Sequence, residues 1–458
     1  MPSKLIPAFA LLFAAIACAL PGAASPAPTL PVDVLQTAVA ATLTASASVS
    51  NPGVTVSAPT PAGPATEAPA PPTAAPTLAP PTAVCFVAIA DGSTVLCQNG
   101  PDQIEIANTS PVGTVSRVAV SPDGGLVAYT VAQIDGTAQL WAVNADGSNA
   151  RKLVGKEQLP TSDPTFVSWP RVIQWQAGTH TLFFDTGWTP TGGIGGPGEY
   201  INADLWKVDA DTGDLTQLLT PGSGGFFSVS PDGKWVAVSR PEDIRLISAD
   251  GGTVRSGVLT FPAILTYSEY AYKPQVTWSN DGAFFSVFIP SPDPLDPLAN
   301  ATFFRVTTDG TAQALAAIGG NFVFGSLVGG FSPDGQRFIF DQIQGESHYL
   351  NLVSFDNSQN WVIQQPAGIT AMLGWSPDSQ RFAYAVLDQG IFVTGLDGAA
   401  QPLAQQQVTK DFVWTDATTA VFSGQLNCHW GVRTAQVGGA FADIAGPFSE
   451  RVVFDVRR

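Results

Sequence analysis

The sequence predicts an all-β chain built from repeated four-stranded antiparallel units. Three observations predict it. Short apolar runs are broken up by turn residues, with 45 Gly and 38 Pro in 458 residues. No long amphipathic helical pattern occurs in the C-terminal three quarters. One turn motif recurs in the same frame: 118-VAVSPDGGLVAYT-130, 227-FSVSPDGKWVAVS-239, 276-VTWSNDGAFFSVF-288, 329-GGFSPDGQRFIFD-341 and 373-LGWSPDSQRFAYA-385.

The N-terminus is different in kind. Lys4 precedes the apolar run 5-LIPAFALLFAAIACAL-20, a charged region followed by a hydrophobic one of signal-peptide length. The run is short for a spanning helix. Residues 1–25 are therefore expected to be an export signal. The stretch 15-AIAC-18 resembles a bacterial lipoprotein box, which implies that Cys18 becomes lipid-modified. It departs from that box at Ala15, where Leu is commoner. The other reading is an ordinary signal cleaved near 22-GAAS-25.

Residues 26–84 contain no Lys or Arg and are dominated by Ala, Pro and Thr. Such a segment buries too little apolar surface to offset its ordering entropy, so it reads as a disordered spacer. Within it, Leu35, Val39 and Leu43 recur at helical spacing, which reads as a transient helix in the tether or as a docking peptide. The folded domain is expected over 85–458.

The repeats define that domain. Two degenerate copies, 173-IQWQAGTHTLFFD-185 and 412-FVWTDATTAVFSG-424, join the five clear ones, and all seven are spaced 39 to 55 residues apart. A period in this range means a propeller or a solenoid. Each copy is followed by an alternating strand and an Asp-Gly type turn, as in 140-LWAVNADG-147 and 391-IFVTGLDG-398, and then by a further short strand. One unit is thus strand A, turn, strand B, connection, strand C, turn, strand D. That is a propeller blade. Three strands before the first copy (85-CFVAIA-90, 94-TVLCQ-98, 103-QIEIAN-108) and one after the last (451-RVVFDV-456) make a further blade, which gives eight, with seven as the alternative. A blade shared by both ends also leaves the ring no exposed edge.

The units resemble the TolB-like (PD40, WD40-like) β-propeller repeats, whose hallmark is a W-S-P-D-G turn after strand A. The resemblance covers roughly residues 110–445. TolB carries an α/β domain ahead of its propeller where this chain has the Pro/Thr spacer, so a TolB role does not carry over.

Each polar candidate has a structural reading. Ser-Pro-Asp-Gly fits a type I turn closed by a residue with positive φ. The set recurs as Ser121 with Asp123, Ser230 with Asp232, Ser279 with Asp281, Ser332 with Asp334, and Ser376 with Asp378. Because it recurs, it is a turn and not a site. Trp141, Trp206, Trp278 and Trp375 are expected at matching strand positions as inter-sheet core. The three histidines, His180, His348 and His429, fall in different units and strand phases, so neither a metal nor a cofactor is expected. No G-x-S-x-G occurs, which argues against a serine hydrolase. Cys85 and Cys97 flank the turn at 91–92 and are predicted to pair across a hairpin; a bridge from either to Cys428 is the rival.

Binding candidates lie in the long insertions 187–202, 261–274 and 290–300. All fall on the face of the B–C and D–A connections, opposite the short turns. They carry Trp188, Glu199, Tyr200, Phe261, Tyr267, Glu269, Tyr270, Tyr272, Asp293 and Asp296. Aromatics beside carboxylates suit a protein, peptide or glycan partner. The net charge of −17 argues against nucleic acid and anionic membrane surfaces. Membrane contact is expected only through the N-terminal lipid. The expectation is a monomeric, non-catalytic scaffold at the cell envelope, with a carbohydrate-active or other hydrolytic propeller as the alternative.

Overall fold

Strand B is mostly apolar in several repeats, as in Leu126–Ala132 and Arg381–Val386, because an inner strand is covered on both faces by neighbouring blades. The computed structural model describes residues 83–456 apart from 89–91, 100–101, 111, 161–162, 164, 192–199, 268–269, 294–299, 321, 323–325, 357, 366, 406–407, 440 and 450. Cys18, the spacer, the 31–45 segment, Glu199, Glu269 and Asp296 lie outside the described residues.

Eight four-stranded antiparallel sheets form an eight-bladed β-propeller. Blades 1 to 7 span 114–154, 166–219, 226–260, 277–319, 326–365, 369–405 and 408–448. Strand A is innermost in each, and the A strands of most neighbouring blades touch around the axis. The closing blade takes Val452–Val456 as strand A and Ala83–Ala88, Thr94–Asn99 and Asp102–Asn108 as B, C and D. Its register sets Val84 opposite Val456 and Ala88 opposite Val452. Cys85 and Cys97 stand opposite each other in the B–C hairpin and are joined by a disulfide. Cys428 is exposed and outside any disulfide.

The turns after strand A share one hydrogen-bond scheme. In blade 1 the Ser121 hydroxyl donates to Asp123 Oδ1 (2.6 Å) and accepts from the Leu126 amide (2.8 Å). Asp123 Oδ1 also accepts from the Gly125 amide (2.9 Å). Gly124 supplies the positive φ of 76°. The serine hydroxyl bonds the aspartate in the same way from Ser230 to Asp232, Ser279 to Asp281, Ser332 to Asp334, and Ser376 to Asp378.

Asp334 and Asp378 keep their place in the turn and add an ion pair to the start of strand B. Asp334 Oδ1 closes the turn by accepting from the Gln336 amide (3.0 Å), but its Oδ2 is ion-paired with Arg337 Nη1 (2.8 Å). Asp378 Oδ1 likewise accepts from the Gln380 amide (3.1 Å), while its Oδ2 meets Arg381 Nη1 (3.2 Å). The cause is local: these two repeats place Arg at the start of strand B, three residues after the acid, where the other clear copies have Leu, Trp or Phe. The same turns also link neighbouring blades. The Asp334 amide donates to Ser379 Oγ of blade 6 (3.0 Å), and Arg381 Nη1 donates to the Ala417 carbonyl of blade 7 (3.2 Å). Ser379 replaces the turn glycine and holds its positive φ of 60°.

The tryptophans form two sets instead of one. Trp141 and Trp206 stand on strand C, stacked on Tyr129 and Phe184 of strand B. Trp278 and Trp375 stand on strand A, just before the turn serine, together with Trp175 and Trp414. Each of these four donates its indole N–H to a carbonyl on the preceding blade's A strand: Ala119 (3.1 Å), Ser228 (3.2 Å), Gly330 (3.1 Å) and Gly374 (3.0 Å). Where Val holds this position, the preceding blade bonds its amide instead. The Val120 amide donates to Asp455 Oδ2 (2.8 Å) and the Val229 amide to Gln174 Oε1 (2.9 Å).

Two predicted loops contain strand. Thr181–Pro190 continues strand B of blade 2 through 187–190, paired with a lengthened strand A, Phe166–Trp175. Gly187 allows this, because a Cβ there would come within 2.7 Å of the Trp169 ring. The 261–274 insertion folds its own two-stranded hairpin, Leu265–Tyr267 with Tyr270–Ala271.

Candidate functional site

The B–C and D–A connections carry most of the exposed apolar side chains. Val112, Ile134, Phe226, Leu265, Ile343 and Leu387 lie in these connections or at the strand ends they join. Of the large apolar side chains exposed among the described residues, only Ile104 and Val254 stand at the other ends of their strands. Isolated exposed apolar residues are ordinary, and what sets these six apart is their bias toward one face.

Two cavities open on the same face. The first, of about 530 Å³, lies at the axial edge of blades 2 to 5, bordered by Arg171, Gln174, Phe226, Tyr272, Lys273 and Phe288 among others. Arg171 Nη2 is ion-paired with buried Asp185, whose other oxygen accepts from the Val172 amide (2.9 Å). Lys273 Nζ stands 5.0 Å above the Phe226 ring. Tyr272 donates to the Phe288 carbonyl (3.3 Å), and burial pushes its phenol well above the usual range.

The second cavity, of about 310 Å³, is a cleft between blade 2 and the connection that enters it, lined by Leu159, Phe166, Trp188, Asn202, Asp204 and Trp206 among others. Trp188 meets Phe166 edge-to-face at 4.6 Å and Tyr200 at 4.9 Å. Asp204 is buried. Its Oδ1 accepts from the Thr186 amide (2.8 Å), and its Oδ2 accepts from Thr186 Oγ1 (2.6 Å) and Trp206 Nε1 (2.8 Å). Asn202 Nδ2 donates to Thr186 Oγ1 (2.7 Å) and to Ser168 Oγ (3.0 Å). Burial, and then the charge of Asp185, push the Asp204 carboxyl up against these bonds.

Trp188 and Tyr200 are thus brought together at the cleft, and Tyr272 reaches the axial cavity. Phe261 and Tyr272 pack against the hydrophobic core, Tyr270 is half-buried in the hairpin, and Asp293 is exposed. Sequence reasoning missed Arg171, Asp185 and Asp204. One signal was present: Thr130, Asp185, Ser239 and Asp341 are polar at one frame position of an otherwise apolar strand B. No group of three His, Cys, Asp or Glu side chains able to hold a metal occurs among the described residues.

No family model matches the chain, and no curated protein sequence does. Several solved structures are similar to it. A dipeptidyl peptidase 4 of Porphyromonas gingivalis is 15% identical, with a TM-score of 0.48, over 72% of this chain and 53% of that one. This chain therefore spans about half the length of that relative. An oligogalacturonate lyase in complex with manganese is 11% identical, with a TM-score of 0.44, over 78% and 97%. A protein described as a TolB of Agrobacterium tumefaciens is 17% identical, with a TM-score of 0.29, over 53% and 91%. The set holds enzymes, and such identities carry no activity across.

Proposed function

We propose that this chain is an exported, N-terminally lipid-anchored β-propeller that binds a protein, peptide or glycan partner through the face of the B–C and D–A connections, without catalysis. The observation that carries the reading is the concentration of Val112, Ile134, Phe226, Leu265, Ile343 and Leu387 on that face. The non-catalytic part draws on the two buried carboxylates at the cavities. Asp185 is held by Arg171 and a backbone amide, and Asp204 by three neutral donors. Both are held as acceptors by these partners.

The tether fits this orientation. Strand B of the closing blade begins at Ala83, beside Val456 at the end of strand A, so the spacer joins the ring on the face of the short turns. The binding face then points away from the anchor.

The test uses exposed residues, because Tyr272 is part of the core. Ile134→Ser, Leu265→Ser and Leu387→Ser together should reduce partner capture in cross-linked envelopes at least tenfold and leave the unfolding midpoint unchanged. Undiminished capture would sink the face assignment. For the anchor, Cys18→Ala should move the protein from the membrane to the soluble fraction; retention would refute lipidation.

A further inference from the structure

The cleft between blade 2 and the connection that enters it holds a buried carboxylate with no opposite charge beside it. Asp204 is only 2% exposed, yet all its bonding partners are neutral. No Lys, Arg or His is among the described residues that line the cleft. The insertion from Gly187 to Asp204 contains none either. A further carboxylate, Asp185, acts on Asp204 and is itself ion-paired with Arg171, and Asp163 lines the same cleft. A buried carboxylate without an opposite charge is costly, and a cation nearby relieves that cost.

The walls suit the same occupant. Phe166, Trp188 and Trp206 border the opening. The face of an aromatic ring attracts ammonium and guanidinium groups, Trp most strongly. Trp188 is held edge-to-face by Phe166 and Tyr200, so its orientation is set before a ligand arrives. A volume of about 310 Å³ accepts an alkylammonium or an arginine-sized head group. The net charge of −17 draws cations toward the surface and repels anions.

We propose that this cleft is a binding site for an organic cation, an ammonium or guanidinium group seated against the Trp188 and Phe166 rings with Asp204 as its counter-charge. The inference deepens the assignment of this face and rests on it in one respect: in a docked partner, the group is a Lys or Arg side chain. A free small amine is the other source of the same chemistry.

The experiment uses the full chain and ligand-observed saturation-transfer NMR with calorimetry. The probes are butylammonium, butylguanidinium, neutral butanol, and a short peptide with one central Lys or, as control, one central norleucine. Saturable binding of both cations, at least tenfold tighter than butanol, is expected. Asp204→Asn keeps an acceptor oxygen but removes the charge, and should weaken cation binding at least tenfold. Should that variant fail to fold, Trp188→Leu, which leaves the floor of the cleft intact, should show the same loss. Equal binding of butylammonium and butanol, or cation binding unchanged in the folded variants, overturns the proposal. A Lys peptide tighter than butylammonium identifies a partner side chain, and one no tighter identifies a free amine; either result upholds the cation site. Cation binding that persists when the triple Ser variant captures its partner normally would reject the docking face alone.

Discussion

His180 stands between two carboxylates, and its chemistry gives the short-turn face a pH dependence. Nε2 lies 3.0 Å from Asp123 Oδ2 in blade 1, and Nδ1 lies 2.8 Å from Asp211 Oδ2 in the C–D turn of its own blade. Both ring nitrogens face acceptors, an arrangement that only the imidazolium satisfies fully. Partial burial opposes the charge, but the two carboxylates outweigh it and hold His180 above its ordinary value of 6.5. Arg151 also faces this group, at 3.7 Å from Asp211 Oδ1. Asp123 is held well below the usual carboxylate range, first by the Ser121 hydroxyl, then by the Gly125 amide and His180. The signs follow from linkage. The His180 contribution is complete below its unfolded pKa and is lost as pH rises through the higher folded value. The Asp123 contribution is present above its unfolded pKa and is lost as pH falls through the lower folded one. The clamp between blades 1 and 2 therefore works from weakly acidic pH to near neutrality. His180→Gln should cost about 1 kcal/mol or less at pH 5.5, the scale of a partly exposed ion pair. That difference should close by pH 9, as read by chemical unfolding. A difference independent of pH would assign His180 to packing alone.

At the level of the strand, the four A-strand tryptophans act as staples between blades, and the acceptors explain why. The carbonyls of Ala119, Ser228, Gly330 and Gly374 belong to innermost strands, whose inner edge has no partner strand within its own blade. Each indole N–H satisfies one of them and fixes the angle between two blades. Trp414→Phe keeps most of the apolar ring but removes the donor. It should destabilise the domain by about 1–2 kcal/mol, the net value of a hydrogen bond plus a partly stranded carbonyl. Equilibrium urea unfolding measures this, and a loss indistinguishable from zero for Trp175, Trp278, Trp375 and Trp414 alike would remove the staple role. The strands themselves were legible in the sequence, because period-two patterning and the serine turns locate each blade. The pairing of tryptophans with a neighbouring blade was not, since donor and acceptor lie some 40 to 56 residues apart. The links that Asp334 and Arg381 make to the next blade were hidden by the same separation. The extended strand of blade 2 was hidden for a different reason. Gly, Pro and Thr over 187–202 read as loop, and only the Trp169 ring over Gly187 makes the first of them strand. The buried carboxylates were missed because a single acid in an apolar strand does not reveal its partners.

For the whole molecule, both ends of the described chain meet in one blade, and this ties ring closure to tethering. Val452–Val456 pairs with Ala83–Ala88, and Asp455 bonds the Val120 amide of blade 1. Removing residues 452–458 deletes the innermost strand of one blade and exposes the edge of Ala83–Ala88. The truncated chain should lose cooperative unfolding or associate through that edge, as light scattering would show. The same closure sets the two faces. The spacer enters at Ala83 on the face of the short turns, whereas Cys428, in the B–C turn of blade 7, lies on the opposite face. That thiol gives a direct test of which face binds. A polyethylene-glycol maleimide on Cys428 should block partner capture by crowding the surface bearing Ile134, Leu265 and Leu387. The same label on Ala150→Cys, at the start of strand D on the short-turn face of a Cys428→Ser chain, should leave capture intact. The contrast depends only on the side of the ring that carries the polymer, so it does not need the partner's identity. Equal block from both sites would mean that the partner grips the rim. Block from Ala150→Cys alone would place binding on the tethered face and reverse the orientation argued above.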